Sequence, residues 1–551
     1  MKTIFLRVLE AEDKAAALGA AIHEPQNALG KQRFEVDSKG FSKVPSAPFA
    51  YWASDRVLDL FVRLPSLATA GRIARTTNPT TDDFRFARAW WEPPSSELGQ
   101  RWRAWNKGGG FSPYYRDIDL VVDWDGGRST YRGYLGTIYR PDIRPANLDY
   151  FFRPGLTWGY RGHRLCVQAM PAGTAISTRG NGLYAVDALL RFDLGLLNCS
   201  VADALIKLTL GRGGHPQFDI GDLSNIPIPE TDSVVCQLAR RAWSLKRFLD
   251  TPAETSHAFM LPALLYVQGD ILGARAAAWV EHTRNAVAEL AAIQAKIDKR
   301  CFELYDIAEA DRRAITEGFT GTTDESGDPD DTDADDEDNA ESCADTESLV
   351  AELVSWAVGV AFGRFDVRLA TGVRALPLEP EPFDPLPVCS PAMLTGDGGL
   401  PPTSAPAEYP VTFPENGVLV DDPGHRLDLT AAVRAVFDKV FTARADVWWN
   451  EFGAVLDPRG NDLQRWLASS FFGHHLKRYS KSRRKAPIVW QLAVPSGRYG
   501  VWLYAHRLTR DSVFQIQNDM VTPKLAHEEQ QLAGLMQRKV DPNVKTIFCP
   551  Q

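Results

Sequence analysis

An α+β fold is predicted for this chain: a mixed, β-rich domain, helical spacers and a C-terminal α/β domain. Three observations predict it. Between about 85 and 185, short apolar runs are broken by Gly, Pro and Asp, the punctuation of strands and turns. Through 186–305, Leu, Ile and Val recur at three- and four-residue steps, the helical period. Through 427–535, two helical stretches are followed by strand-like runs. With 551 residues, 44% of them hydrophobic, the chain can build about three or four cores, taking length as a soft prior.

Taken in order, residues 4–22 read as a helix, with Ile4, Leu6, Val8, Leu9, Ala16, Leu18 and Ile22 forming an apolar side. It starts almost at the first residue, which suggests a chain that begins partway through a larger architecture. Residues 56–63 read as a short helix capped by Ser54 or Asp55. Strand-like runs follow at 86–90, 118–124, 165–170 and 175–177. Residues 186–210 are helical, and the Pro-x-Pro at 227–229 stops any helix or central strand. Helices are expected again at 234–249 and 262–305. The second carries Leu290, Ile293, Ile297, Cys301 and Leu304 among charged residues. It reads as an amphipathic rod seated on a partner surface, or on its own domain. After an apolar helix at 349–363, the proline-rich stretch 377–414 has little periodicity and reads as a long wrapping loop or linker. Helices at 427–441 and 463–472 precede strands at 488–492 and 501–504. The expected division is therefore a helical segment (1–75), a β-rich domain (76–230), a helical spacer (231–318), an acidic insertion (319–348), a helix with a proline-rich linker (349–425) and a basic C-terminal domain (426–551).

The formal charge of −9 argues at first against a polyanionic partner. Yet thirteen carboxylates and no Lys or Arg lie between Asp324 and Glu347, so the rest of the chain totals +4. That tract cannot bury enough apolar area to order itself and reads as a solvated, disordered insertion. A nucleic-acid-mimicking or autoinhibitory arm is the sharper reading. Seven scattered cysteines without a CxxC argue against structural zinc and fit reduced thiols in a cytoplasmic protein. No run of about 18 uncharged apolar residues is present, so no membrane span is expected.

Two segments carry the electrostatic signal. The first, 101–115, reads Arg-Trp-Arg-Ala-Trp-Asn-Lys-Gly-Gly-Gly-Phe-Ser-Pro-Tyr-Tyr. Glycine lets a backbone approach a polyanion closely, cations neutralise phosphates, and aromatic rings offer flat faces. Arg103, Asn106, Lys107 and Tyr114 are the candidates here, joined by Arg212 in the related stretch 211–229. A loop-rich β domain with a glycine turn explains the same composition. The second contains Lys477, Arg478, Lys481, Arg483, Arg484 and Lys485. No Asp or Glu occurs from Leu463 to Arg510, while ten Lys or Arg do. A solvated face usually mixes signs, so this one-sign stretch reads as a phosphate-tracking surface, with a plain exposed loop as the alternative.

Catalytic motifs are missing. His474-His475 lacks a spaced third ligand, and there is no GxSxG, GxxxxGK[ST] or HExxH. Ser-Pro-Tyr-Tyr at 112–115 is superficially similar to the Asn/Asp/Ser-Pro-Pro-Tyr/Phe motif of amino methyltransferases. It lacks the second proline, and no glycine-rich strand–turn precedes it, so it reads as a turn followed by aromatics.

Several segments carry a family likeness, in one order: Phe-Ala-Tyr-Trp-Ala-Ser-Asp (49–55), Asn-Lys-Gly-Gly-Gly-Phe-Ser-Pro-Tyr-Tyr (106–115), Asp-Leu-Val-Val-Asp-Trp (119–124), Phe-Arg-Pro-Gly-Leu-Thr-Trp (152–158), Leu-Leu-Asn (196–198), Asp-Leu-Ser-Asn-Ile-Pro-Ile-Pro (222–229), Arg-Ala-Trp-Ser-Leu-Lys (241–246) and Lys-Arg-Tyr-Ser-Lys-Ser-Arg-Arg-Lys-Ala-Pro-Ile (477–488). The chain resembles the C-terminal half of large N6-adenine DNA methyltransferases, of the type IIG restriction–modification and BREX/DISARM phage-defence kind. The likeness is weakest at 320–420 and after 535. It implies a target-recognition region, helical spacers and a DNA-clamping C-terminal part in a bacterial, cytoplasmic protein. The catalytic half, with the S-adenosylmethionine site and the Pro-Pro-Tyr loop, lies upstream in that family. The expectation is therefore a specificity chain of a split or truncated enzyme: double-stranded DNA and a catalytic methyltransferase subunit as partners, S-adenosylmethionine on that subunit, no cofactor in this chain, and no membrane. A scaffold or inhibitor using the acidic tract, or a complete methyltransferase with unrecognised motifs, are the alternatives.

Overall fold

The computed structural model describes residues 2–8, 11–23, 33–80, 82–124, 145–210, 217–317, 345–481, 484–494 and 499–540. The acidic insertion therefore lies almost wholly outside the described residues, as do Arg212 and Arg483. The fold is α+β, with helices and several small antiparallel sheets. The chain forms two compact units. One comprises Met1–Asp345, Ala375–Ala392 and Ser480–Arg484; the other comprises Thr346–Arg374, Met393–Tyr479 and Lys485–Gln551.

The first unit opens with a correction. Lys2–Leu6 is a strand, paired antiparallel with Arg33–Asp37, and the helix begins only at Lys14. Thr3, Ile4 and Phe5 are β-branched or aromatic and suit a pleated surface, and the Phe5 ring stacks on Tyr51 at 4.7 Å. Asp13 accepts from the amide of Ala16, fixing where the helix starts. The helix Asp55–Arg63 forms as expected, with Ser54 Oγ accepting from Val57.

Two antiparallel sheets follow. One orders Ile73–Arg75, Gly182–Tyr184, Gly155–Trp158 and Val167–Met170; the other sets Leu120–Asp123 between Ala87–Ala89 and Trp102–Ala104. Gly155–Trp158 and Val167–Met170 are buried on both faces, which explains why these runs do not alternate. The strand expected at 175–177 is only a bridge, where Ala175 exchanges backbone bonds with Ala104 and Asn106.

The helical stretch 186–210 is broken into Asp187–Leu196 and Ser200–Leu210. Asn198 makes the break. Its Nδ2 donates to Leu194 and Val167 carbonyls, and its Oδ1 accepts from Val167 N–H. The expected helix 262–305 likewise becomes Ala263–Tyr266 and Leu272–Leu304. The long helix does not offer its apolar stripe to a partner. Ile293, Ile297 and Cys301 are buried in the same core as Val201, Leu205, Val235 and Ala239. Glu289 takes two N–H groups of Arg241, and Asp298 accepts from the amide of Ser200. Beneath this core, Arg72 and Asp193 form a fully buried bidentate pair, 2.9 Å at both contacts. Burial pushes the Asp193 carboxyl up, and the Arg72 guanidinium opposes that shift.

The proline-rich stretch has no regular structure, in keeping with its lack of periodicity. Its first part is nevertheless fastened to the first unit: Glu379 and Glu381 bind Arg240, and Glu381 binds Arg191.

The second unit is built round Thr346–Ala361, buried at every residue from Leu349 to Ala361 except Glu352. Leu429–Phe441 and Ala445–Leu456 pack on it. A three-stranded sheet places Gly500–Tyr504 between Val418–Val420 and Val489–Ala493, all antiparallel. Asp366, which caps the short helix Val367–Ala370, is a buried carboxylate of this unit. Burial pushes its carboxyl up, but Arg368 and Arg374 outweigh that and hold it below the ordinary value. No helix of the described residues is long and apolar enough to cross a membrane.

Candidate nucleic-acid interface

In the glycine-rich stretch, the side chains expected to face a ligand mostly serve the fold. Asn106 is 7% exposed. Its Nδ2 donates to Thr157 Oγ1 at 2.5 Å, and its Oδ1 accepts from Gly108 N–H. Tyr114 is 3% exposed and donates to Gln294 Oε1 at 2.5 Å. Its φ of +73° is a costly conformation for a bulky residue. Backbone bonds on both sides, from Tyr114 N–H to Val167 and from Ala169 N–H to Tyr114, hold it there. Burial moves its hydroxyl far above the usual range. Both side chains are therefore buried and hydrogen-bonded within the chain. Tyr114 belongs to a turn closed by Ser112 Oγ donating to the Tyr115 carbonyl.

Gly108 packs against another loop. Gly108 has φ +78°, and a Cβ there would lie 2.6 Å from the Arg179 carbonyl. A Cβ on Gly180 would lie 2.2 Å from the Asn106 carbonyl. At Gly108 and Gly180 the two loops press backbone to backbone, a contact that by itself requires glycine. The cations are engaged as well. Arg103 sits over the Phe152 ring at 4.8 Å, and Lys107 binds Asp83 at 2.9 Å.

The basic segment is arranged differently. Lys477 lies in the last turn of the helix Phe471–Arg478 and is exposed. Arg478 pairs with Glu352 at 3.0 Å. Lys485 is exposed in the second unit. Within the first unit, burial raises the carboxyls of Asp119 and Asp250, Asp250 to about 7, against the opposing charge of Lys481. Arg484 reaches Glu92 at 3.1 Å with its side chain 14% exposed. Burial pulls the Arg484 guanidinium down and pushes the Glu92 carboxyl up. Lys477 and Lys485 have no described ion pair, whereas Arg478 and Arg484 do.

His474 and His475 do not form a ligand pair. His475 Nε2 accepts from the amides of Ile488 and Val489, and its ring lies 4.3 Å from Tyr479. Burial pushes His475 down to about 3 and His474 down to about 4, so both are neutral near pH 7. Among the described residues no cluster of three or more His, Cys, Asp or Glu is placed to hold a metal ion.

Sequence reasoning missed a buried site in the first unit. His257 Nδ1 lies 3.0 Å from Asp117 Oδ1, its amide donates to Asp117 Oδ2, and its ring stacks on Trp90 at 4.1 Å. Asp117 and His257 are 140 residues apart, so no local spacing could have announced them. The structure also sets Phe84 outward beside Arg484.

No family model matches the chain. Two curated proteins do. The "Adenine-specific methyltransferase PglX" of Lacticaseibacillus casei (strain Zhang) is 24% identical over 537 residues, 91% of this chain and 40% of that protein. The chain is distantly related to adenine-specific methyltransferases. The "Adenine-specific methyltransferase BrxX" of Escherichia coli O9:H4 (strain HS) is 22% identical over 571 aligned residues, 95% of this chain and 42% of its own length. The chain thus spans about two fifths of the length of PglX and BrxX, and nearly all of it is matched.

Proposed function

We propose that this chain supplies duplex binding and site selection to an adenine-specific DNA methyltransferase of a restriction–modification or BREX/DISARM-like phage-defence system. S-adenosylmethionine binding and methyl transfer would reside on a catalytic partner. Such an enzyme must take the target adenine out of the stack, so a separate grip on the flanking duplex serves it. The observation that carries the reading is the match to PglX and BrxX along nearly the whole chain. The acid-free stretch with outward Lys477 and Lys485 supports it. Lys481 and Arg103 are the next cations for phosphate contact, and Lys107 would first have to leave Asp83.

The test is selection from a random duplex pool by the purified full chain at low salt, alongside incubation with methyl-labelled S-adenosylmethionine. Enrichment of one duplex sequence without methyl incorporation is the expected result. No duplex retention would overturn the reading in favour of a scaffold. Methyl incorporation by the chain alone would make it a complete enzyme.

A further inference from the structure

We propose that Phe84 is a stacking post for an unstacked DNA base, backed on one side of its ring by Arg484; this rests on the DNA-binding reading above. Phe84 is 83% exposed, the highest exposure of any aromatic residue among the described residues. Its ring contributes nothing to the core, yet the turn that carries it is firmly built. Asp82 caps the turn Asp83–Phe86 by accepting from Arg85 N–H, and Thr80 donates to Asp83. Arg88 Nη1 donates to the carbonyls of Phe84, Arg85 and Ala87 at 3.0, 3.1 and 2.7 Å. Arg484 Nη2 donates to the carbonyls of Phe84 and Ala87 at 3.2 and 2.5 Å. Two guanidiniums thus lock the backbone while the side chain stands in water.

The Arg484 guanidinium carbon lies 5.3 Å from the Phe84 ring centroid. Glu92 holds that guanidinium from behind at 3.1 Å, and also reaches Arg88 at 4.0 Å. One side of the ring is therefore taken by a cation, and the rest of it meets solvent. A base is the flat, electron-rich partner that such a ring can stack against, and every base has such a face. Arg85 belongs to the same turn, and Lys107 is tied to it through Asp83. Arg85 is the cation of this turn for a phosphate beside the base, and Lys107 would first have to leave Asp83. An intact duplex hides its base faces, so the post favours DNA in which a base is already displaced.

The experiment compares binding of the full chain to a matched duplex and to the same duplex with one unpaired adenine, for wild type, F84A and F84W, with thermal unfolding as the folding control. Wild type is expected to prefer the unpaired adenine. F84A should lose that preference, binding the bulged duplex about ten- to hundredfold more weakly, with matched-duplex affinity and salt dependence unchanged. F84W should restore it. F84A equal to wild type on both DNAs overturns the post and leaves Phe84 to a protein partner. A wild-type chain that binds neither DNA overturns the DNA reading itself.

Discussion

The stretch 101–115 and the acid-free stretch 463–510 carry the same residue types, cations with aromatics, but spend them differently. In the first, Gly108 meets backbone, Asn106 and Tyr114 are buried, and Lys107 is paired with Asp83. In the second, Lys477 and Lys485 stay outward, although Glu352 and Glu92 reach Arg478 and Arg484 from far along the sequence. The lesson is that a one-sign run in sequence is not a one-sign surface. Acids can be absent locally and still arrive by folding, and only the cations they leave over can serve a polyanion.

The contrast breaks most readily at the glycines. Gly108→Ala adds a Cβ against the Arg179 backbone at φ +78°, and should cost about 2–3 kcal/mol of the first unit's stability, read by denaturant unfolding. Weakened duplex binding with unchanged stability would mean that the loop faces DNA after all. Asn106→Ala removes a buried hydrogen-bonding amide, leaving Gly108 N–H and Thr157 short of a partner. A loss of about 1–3 kcal/mol is expected, with the selected DNA sequence unchanged. Altered sequence choice would return Asn106 to the interface.

Acid separates inward from outward residues within the second stretch. His475 is pushed down to about 3 in the folded chain, below its ordinary value of about 6.5. Its contribution is therefore fully present above about pH 6.5 and is lost as pH falls toward 3. The second unit's melting temperature should fall between pH 7 and pH 5, and His475→Gln should flatten that fall. The smallest stability effect belongs to Lys477→Ala with Lys485→Ala, within about 0.5 kcal/mol of wild type. A larger loss would show that these lysines also hold the fold.

Much of the fold was legible in local pattern. The helices Asp55–Arg63, Ser233–Asp250 and Leu429–Phe441 follow their caps and apolar periods. The strand Lys2–Leu6 was misread because five residues carry too little period to separate from the helix behind them. The break at Asn198 was hidden because its polar partners lie on a strand some thirty residues earlier. The candidate interface was legible only as charge. Which cations are neutralised depends on Glu92, Glu352 and Asp83, whose positions are set by tertiary packing. The same holds for the Asp117–His257 pair.

The most direct measurement is the affinity of the full chain for duplex DNA as a function of salt, for wild type and for K477A/K485A. The account predicts that log K falls linearly with log salt in wild type, and that the double variant is weaker with a slope shallower by about two. Identical slopes for the two proteins, or no duplex binding at the lowest salt, would contradict it.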